Sequence, residues 1–123
     1  MRMSRRQNRI VVDLDHLVQF HRDVAKAVVE YCCHRFNLRG ITVTVNLNRI
    51  QDCWGESWVM EGDRCYGMRI CTEQTLRDYV ATIVHEMIHV NQWETGEWEG
   101  DGEDEAYANQ FVMTDELWAD GIL

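Results

Sequence analysis

The chain has 123 residues, a formal net charge of −9 and 46% apolar residues, enough for one compact domain with a modest core. No run approaches about 18 uninterrupted apolar residues, so the sequence offers no membrane-spanning helix. The five cysteines (Cys32, Cys33, Cys53, Cys65 and Cys71) are odd in number and contain no C-x-x-C, which argues against a disulfide framework or a zinc ribbon.

Residues 1–12 read as a basic, flexible segment carrying Arg2, Arg5, Arg6 and Arg9, and residues 13–123 as a single domain. Ile10-Val11-Val12 is too short for a secretory h-region, so a cytoplasmic protein is expected. A helix is predicted from about Leu14 to Phe36, with Leu17, Val18, His21, Val24, Val28, Tyr31 and Cys32 as its apolar stripe. The turn 37–40 ends it. Ile41 to Leu47 alternates apolar and polar residues, as a half-buried strand does. Two further short strands, Ser57 to Glu61 and Cys65 to Cys71, flank a hairpin loop at 61–64. A second helix follows from about Glu73 to Trp93, then a Gly- and acid-rich loop at 94–102, then a last helix from about Glu103 to Trp118. This order predicts an α+β domain with a small, three-stranded, mostly antiparallel sheet.

The second helix carries His85-Glu86-Met87-Ile88-His89, an H-E-x-x-H pattern. Residues four apart share one helix face, so both imidazoles can reach one metal ion, and the intervening glutamate can address a water on it. Two neutral nitrogens and an adjacent base are what zinc-assisted hydrolysis requires. Leu76, Tyr79, Val80, Ile83, Val84, Met87 and Ile88 form an apolar stripe, and the histidines fall on roughly the opposite side. Thr75 and Asp78 form a T-x-x-D capping box at its start.

A catalytic zinc usually takes three protein ligands and keeps one position open. No histidine follows His89, and His21 on the first helix reads as a core residue. The last helix opens with Glu103-Asp104-Glu105-Ala106-Tyr107-Ala108-Asn109. Here the chain resembles the gluzincins, H-E-x-x-H metallopeptidases whose third ligand is a glutamate in an E-x-x-A-[D/N] pattern on a following helix. The resemblance implies a zincin-like domain, one zinc ion, His85 and His89 as ligands, and Glu105 as the third, with Asn109 supporting a ligand histidine. A second register matches the E-x-E-A form of related minimal peptidases and makes Glu103 the ligand. Glu105 is preferred because only it has an amide partner four residues on. The stretch from His85 to Trp93 is also similar to the H-E-M-x-H-V-x-Q segment of small phage-type and SprT-like metallopeptidases. It departs from the SprT-like pattern in lacking a third histidine.

The resemblance further implies a peptide or protein substrate extended along an edge strand, here Cys65 to Cys71, with Glu86 as general base. Tyr107 or Tyr79 would stabilise the oxyanion, although Tyr79 reads better as core. Of the 21 acids, seven lie within residues 94–105; Glu94, Glu97, Glu99 and Asp101 read as solvated loop residues. Trp98, set among these acids, is the tryptophan expected to touch a substrate or partner. Two other functions compete with a zinc peptidase. One is a weak or inactive binding domain on the same fold. The other is a DNA-associated protein docked through its arginine-rich N-terminus, although the acidic balance gives nucleic-acid binding little support.

Overall fold

The computed structural model describes residues 7–13, 19–49 and 54–123. Among these, three helices and four strands occur in the order β1 (Arg9–Asp13), α1 (Gln19–Arg35), β2 (Thr42–Asn48), β3 (Gly55–Val59), β4 (Cys65–Cys71), α2 (Leu76–Thr95) and α3 (Glu103–Ala119). The α+β class is as expected, but the sheet is four-stranded and mixed, with order β1-β2-β4-β3. β1 and β4 both run parallel to β2, and only β3 is antiparallel to its neighbour. No described helix is long and apolar enough to cross a membrane.

Two features escape a local reading. Residues 9–12, expected inside a flexible tail, belong to β1, whose Ile10 and Val12 pack against the core. Parallel neighbours need a long crossover, and α1 lies within the one joining β1 to β2. Their pairing is therefore not adjacent in sequence. The hairpin from β3 to β4 is as predicted, but β4 inserts between β2 and β3. Cys65–Cys71 is therefore a central strand, and β3 is the edge strand near α2. β4 is buried at Tyr66 to Met68 and again at Ile70 and Cys71, as a central strand should be.

One sheet face carries the core. The register places Val43 beside Tyr66, Val45 beside Met68 and Leu47 beside Ile70, and all six are buried. α1 contributes Val24, Ala25, Val28, Val29, Cys32 and Cys33. It ends at Asn37, which takes a left-handed φ of 58°. Asn37 N–H donates to the His34 carbonyl, and Leu38 N–H to that of Cys33, closing a Schellman motif. Leu17 and Val18, expected on the α1 stripe, and Cys53 lie outside the described residues. The other four cysteines are free.

α2 lies deepest. Val80, Ile83, Val84, Met87, Ile88 and Val90 are almost completely buried; removing such side chains from water contributes about 1.5–3 kcal/mol each. Thr75 caps its start, accepting from Asp78 N–H at 3.2 Å. Gly96 ends it with φ 71°, and its N–H donates to the Gln92 carbonyl. The helix therefore extends beyond the predicted Trp93. Glu94 sits on its last turn, not in a solvated loop, and receives Arg64 Nε at 2.9 Å and the Tyr66 hydroxyl.

Candidate metal centre

The i, i+4 spacing on α2 brings His85 and His89 together, with ring centroids 5.0 Å apart. Both imidazoles are buried. A buried imidazole needs its polar nitrogens partnered, and a side-chain amide serves each. His85 Nδ1 donates to Gln110 Oε1 at 2.6 Å, and His89 Nδ1 donates to Gln92 Oε1 at 2.9 Å. The orientation of the Gln92 amide follows from its other contacts. Its Nε2 faces two acceptors, the Gly102 carbonyl at 3.0 Å and Glu105 Oε1 at 2.8 Å. That end must be the NH2, leaving Oε1 to accept from His89.

With Nδ1 carrying the proton, each Nε2 presents a lone pair. Both point at the same carboxylate. Glu103 Oε1 lies 2.8 Å from His85 Nε2 and 3.4 Å from His89 Nε2. The ligand atoms of His85, His89 and Glu103 all fall within 4.8 Å of one another. Three lone-pair donors converge on a point that only a cation, a proton or a metal ion, can occupy favourably. Two imidazole nitrogens and one carboxylate oxygen are a donor set that suits zinc, so these residues can hold a metal ion.

Glu103, not the preferred Glu105, is the residue brought to the histidines. The phase of α3 explains why. Ala106 is 0% exposed and packs into the core. Glu103, three residues earlier, lies on the same helix face, whereas Glu105 is turned about 100° away. Glu105 is exposed and accepts from Gln92. Asn109, expected to support a histidine, is also exposed, and its Nδ2 donates to the Glu105 backbone carbonyl at 2.8 Å. Gln110 takes the supporting role instead, because it continues the face that carries Glu103, Ala106, Met113 and Leu117.

Gly102 makes the approach of α3 possible. Its φ is 82°, and a Cβ there would lie 2.2 Å from Gln92 Oε1. Any side chain would displace the amide that orients His89. The Glu103 N–H is held by Asp101 Oδ1 at 3.0 Å, so this loop acid caps α3.

Glu86 is 6% exposed and has a partner on the sheet. Ser57 Oγ on β3 donates to Glu86 Oε1 at 2.5 Å. Gly55 brings the strand close enough, since a Cβ there would lie 2.6 Å from Thr82 Cγ2 of α2. Burial pushes the Glu86 carboxyl above its usual range, and Glu103 adds to the rise. The Ser57 hydrogen bond and the two histidines draw it back.

Tyr107 stands beside the centre, its ring centroid 4.7 Å from that of His85, and is 66% exposed. Tyr79 is buried, and its hydroxyl donates to the His21 carbonyl at 2.9 Å. It is a core residue. His21 is half-buried with its ring edge-on to Tyr79. Trp98 is exposed in the loop between α2 and α3.

Sequence reasoning gave no role to Gln92, Gln110 or Ser57. The α3 stripe, traced back from Leu117 and Met113 through Gln110 and Ala106 to Glu103, is the signal that finds Gln110 and favours Glu103 over Glu105. Ser57 has no local signal, because it meets Glu86 only through packing of β3 on α2. No protein-family model, curated protein or solved structure matches this chain.

Proposed function

We propose that the chain is a zinc-dependent metallopeptidase of the zincin type, with His85, His89 and Glu103 as the metal ligands and Glu86 as the general base. One observation carries the reading: three lone-pair donors meet at one point beside a buried, hydrogen-bonded glutamate. A purely structural metal site has no use for that glutamate.

Zinc bound there supplies Lewis acidity, making a water more acidic and polarising the scissile carbonyl. Glu86 takes a proton from the attacking water and returns it to the leaving amine. Its desolvated position, which raises its proton affinity, suits both transfers. Ser57 holds one carboxylate oxygen and leaves the other for the proton. Gln92 and Gln110 fix the imidazoles so that Nε2 faces the metal. Tyr107 flanks the centre as the phenol that donates to the developing oxyanion. An extended peptide adds to the outer edge of β3, the strand that already touches Glu86 through Ser57.

The test is digestion of a diverse peptide library by the zinc-loaded protein, with Glu86→Gln as control. The variant should retain one zinc per chain and lose at least about 100-fold in hydrolysis, the range expected for a general base. Equal cleavage by Glu86→Gln removes Glu86 as the base.

A further inference from the structure

Nine Lys and Arg side chains lie in the described residues. Five of them, Arg35, Arg49, Arg64, Arg69 and Arg77, are held in ion pairs. Of the remaining four, Arg9, Lys26 and Arg39 line a single cleft of about 780 Å3, and His34 joins them there. Among the described residues, Glu30 is the one acid in its wall. Three cations thus face one carboxylate in a chain whose net charge is −9. Such a concentration of unpaired like charge is unfavourable unless a counter-charge arrives.

The cleft is also shaped. Its walls are β1 and its leading residues on one side, and the end of α1 with the following turn on the other. Asn8 ties the two together: its Nδ2 donates to the Leu38 carbonyl at 3.0 Å, and its Oδ1 accepts from Ile41 N–H at 3.1 Å. Arg9 N–H donates to the Ile41 carbonyl at 2.9 Å. Arg39 Nε is steadied by Asn37 Oδ1 at 3.2 Å. Cys33 and Leu38, both buried, form its floor, and half-buried Ile10 adds apolar surface. Burial pushes the Cys33 thiol up to about 12, so it stays neutral there. The volume lies within the roughly 300–1,000 Å3 of small-molecule sites. None of these residues belongs to the metal centre.

We propose that this cleft is a second, independent site that binds a nucleoside phosphate. Arg9, Lys26 and Arg39 hold the phosphate, which Arg can engage through two parallel hydrogen bonds. The side chain of half-buried Ile10, next to Arg9 in the cleft lining, meets the flat base. Glu30 accepts from a ribose hydroxyl or an exocyclic amine.

Calorimetric titration of the full chain with AMP and UMP, and with their nucleosides, tests this. Saturable one-site binding is expected for the nucleotides, at least tenfold tighter than for adenosine and uridine. Lys26→Glu and Arg39→Glu should each weaken it at least tenfold. Arg22→Glu, which reverses an unpaired cation outside the cleft, should change it less than twofold. These positions are exposed, so the variants keep the fold, and circular dichroism verifies this. Unchanged binding in His89→Ala separates the cleft from the metal centre. No saturable binding, equal affinity for nucleosides, or equal loss in Arg22→Glu overturns the proposal. So does binding of a single-stranded oligonucleotide alone, which would indicate a surface that follows a polyanion backbone.

Discussion

The two helices that build the candidate metal centre treat their polar groups in opposite ways. α2 buries twelve of its twenty residues, including His85, Glu86, His89 and Gln92. Each of those four has a hydrogen-bond partner. α3 buries only Ala106, Met113, Thr114 and Leu117 and offers Glu103 from a side chain still 43% exposed. α2 thus holds two imidazoles and a carboxyl group in a desolvated setting, whereas α3 brings the third donor from the solvent side. The comparison teaches that deep packing and oriented amides place the two imidazoles, while the third donor needs only the correct helix phase.

If Gln92 is what couples the helices, its loss should have the largest effect on their joint geometry. Gln92→Ala removes the His89 partner and the tie to Gly102 and Glu105. Zinc affinity should fall about 10–100-fold, in line with other supporting partners of metal-bound histidines, as read by competition with a chromophoric chelator. Gln110→Ala breaks only the His85 contact and should fall nearer tenfold. An equal loss for both would show that Gln92 does not bridge the helices.

Ser57→Ala asks whether the proposed base, Glu86, depends on the sheet. Zinc affinity should stay within about twofold, while hydrolysis falls about tenfold because one hydrogen bond to a buried carboxylate is lost. Ser57→Thr should restore most of it. A Ser57→Ala variant that loses zinc instead would make Ser57 part of the metal-holding frame.

The smallest effect concerns the last turn of α2. Burial raises the Glu94 carboxyl, but Arg64 and Tyr66 more than offset this and hold it below its usual value. A carboxyl depressed in the folded state contributes stability above its unfolded pKa of about 4.3, and that contribution is lost as pH falls through the folded value. Glu94→Gln should therefore destabilise by about 1–2 kcal/mol at pH 7, leave zinc binding unchanged, and differ progressively less from wild type in denaturant melts below about pH 4. A gap that persists unchanged at pH 3 would place its origin in packing.

Much of this was legible in the sequence because it is local. The H-E-x-x-H spacing, the α2 stripe, the Thr75 cap, the hairpin at 61–64 and the span of α3 all depend on neighbours within a few residues. Misread features depend on distant ones. β1 is a strand only because β2 pairs with it, and β4 is central only because β2 and β3 both flank it. Three acids share the first turn of α3, and composition cannot choose among them. The choice falls to Glu103 because Ala106 turns that face toward α2 and Gly102 lets the helix start beside Gln92. The amide at Asn109 pointed to Glu105, yet it bonds its own helix, as an exposed Asn readily does.

Zinc titration of wild type, Glu103→Ala and Glu105→Ala under one set of conditions tests the central claim most directly. One zinc per chain in wild type, lost or weakened at least about 100-fold in Glu103→Ala and nearly retained in Glu105→Ala, is the expected result. Full affinity in Glu103→Ala with loss in Glu105→Ala would contradict the centre described.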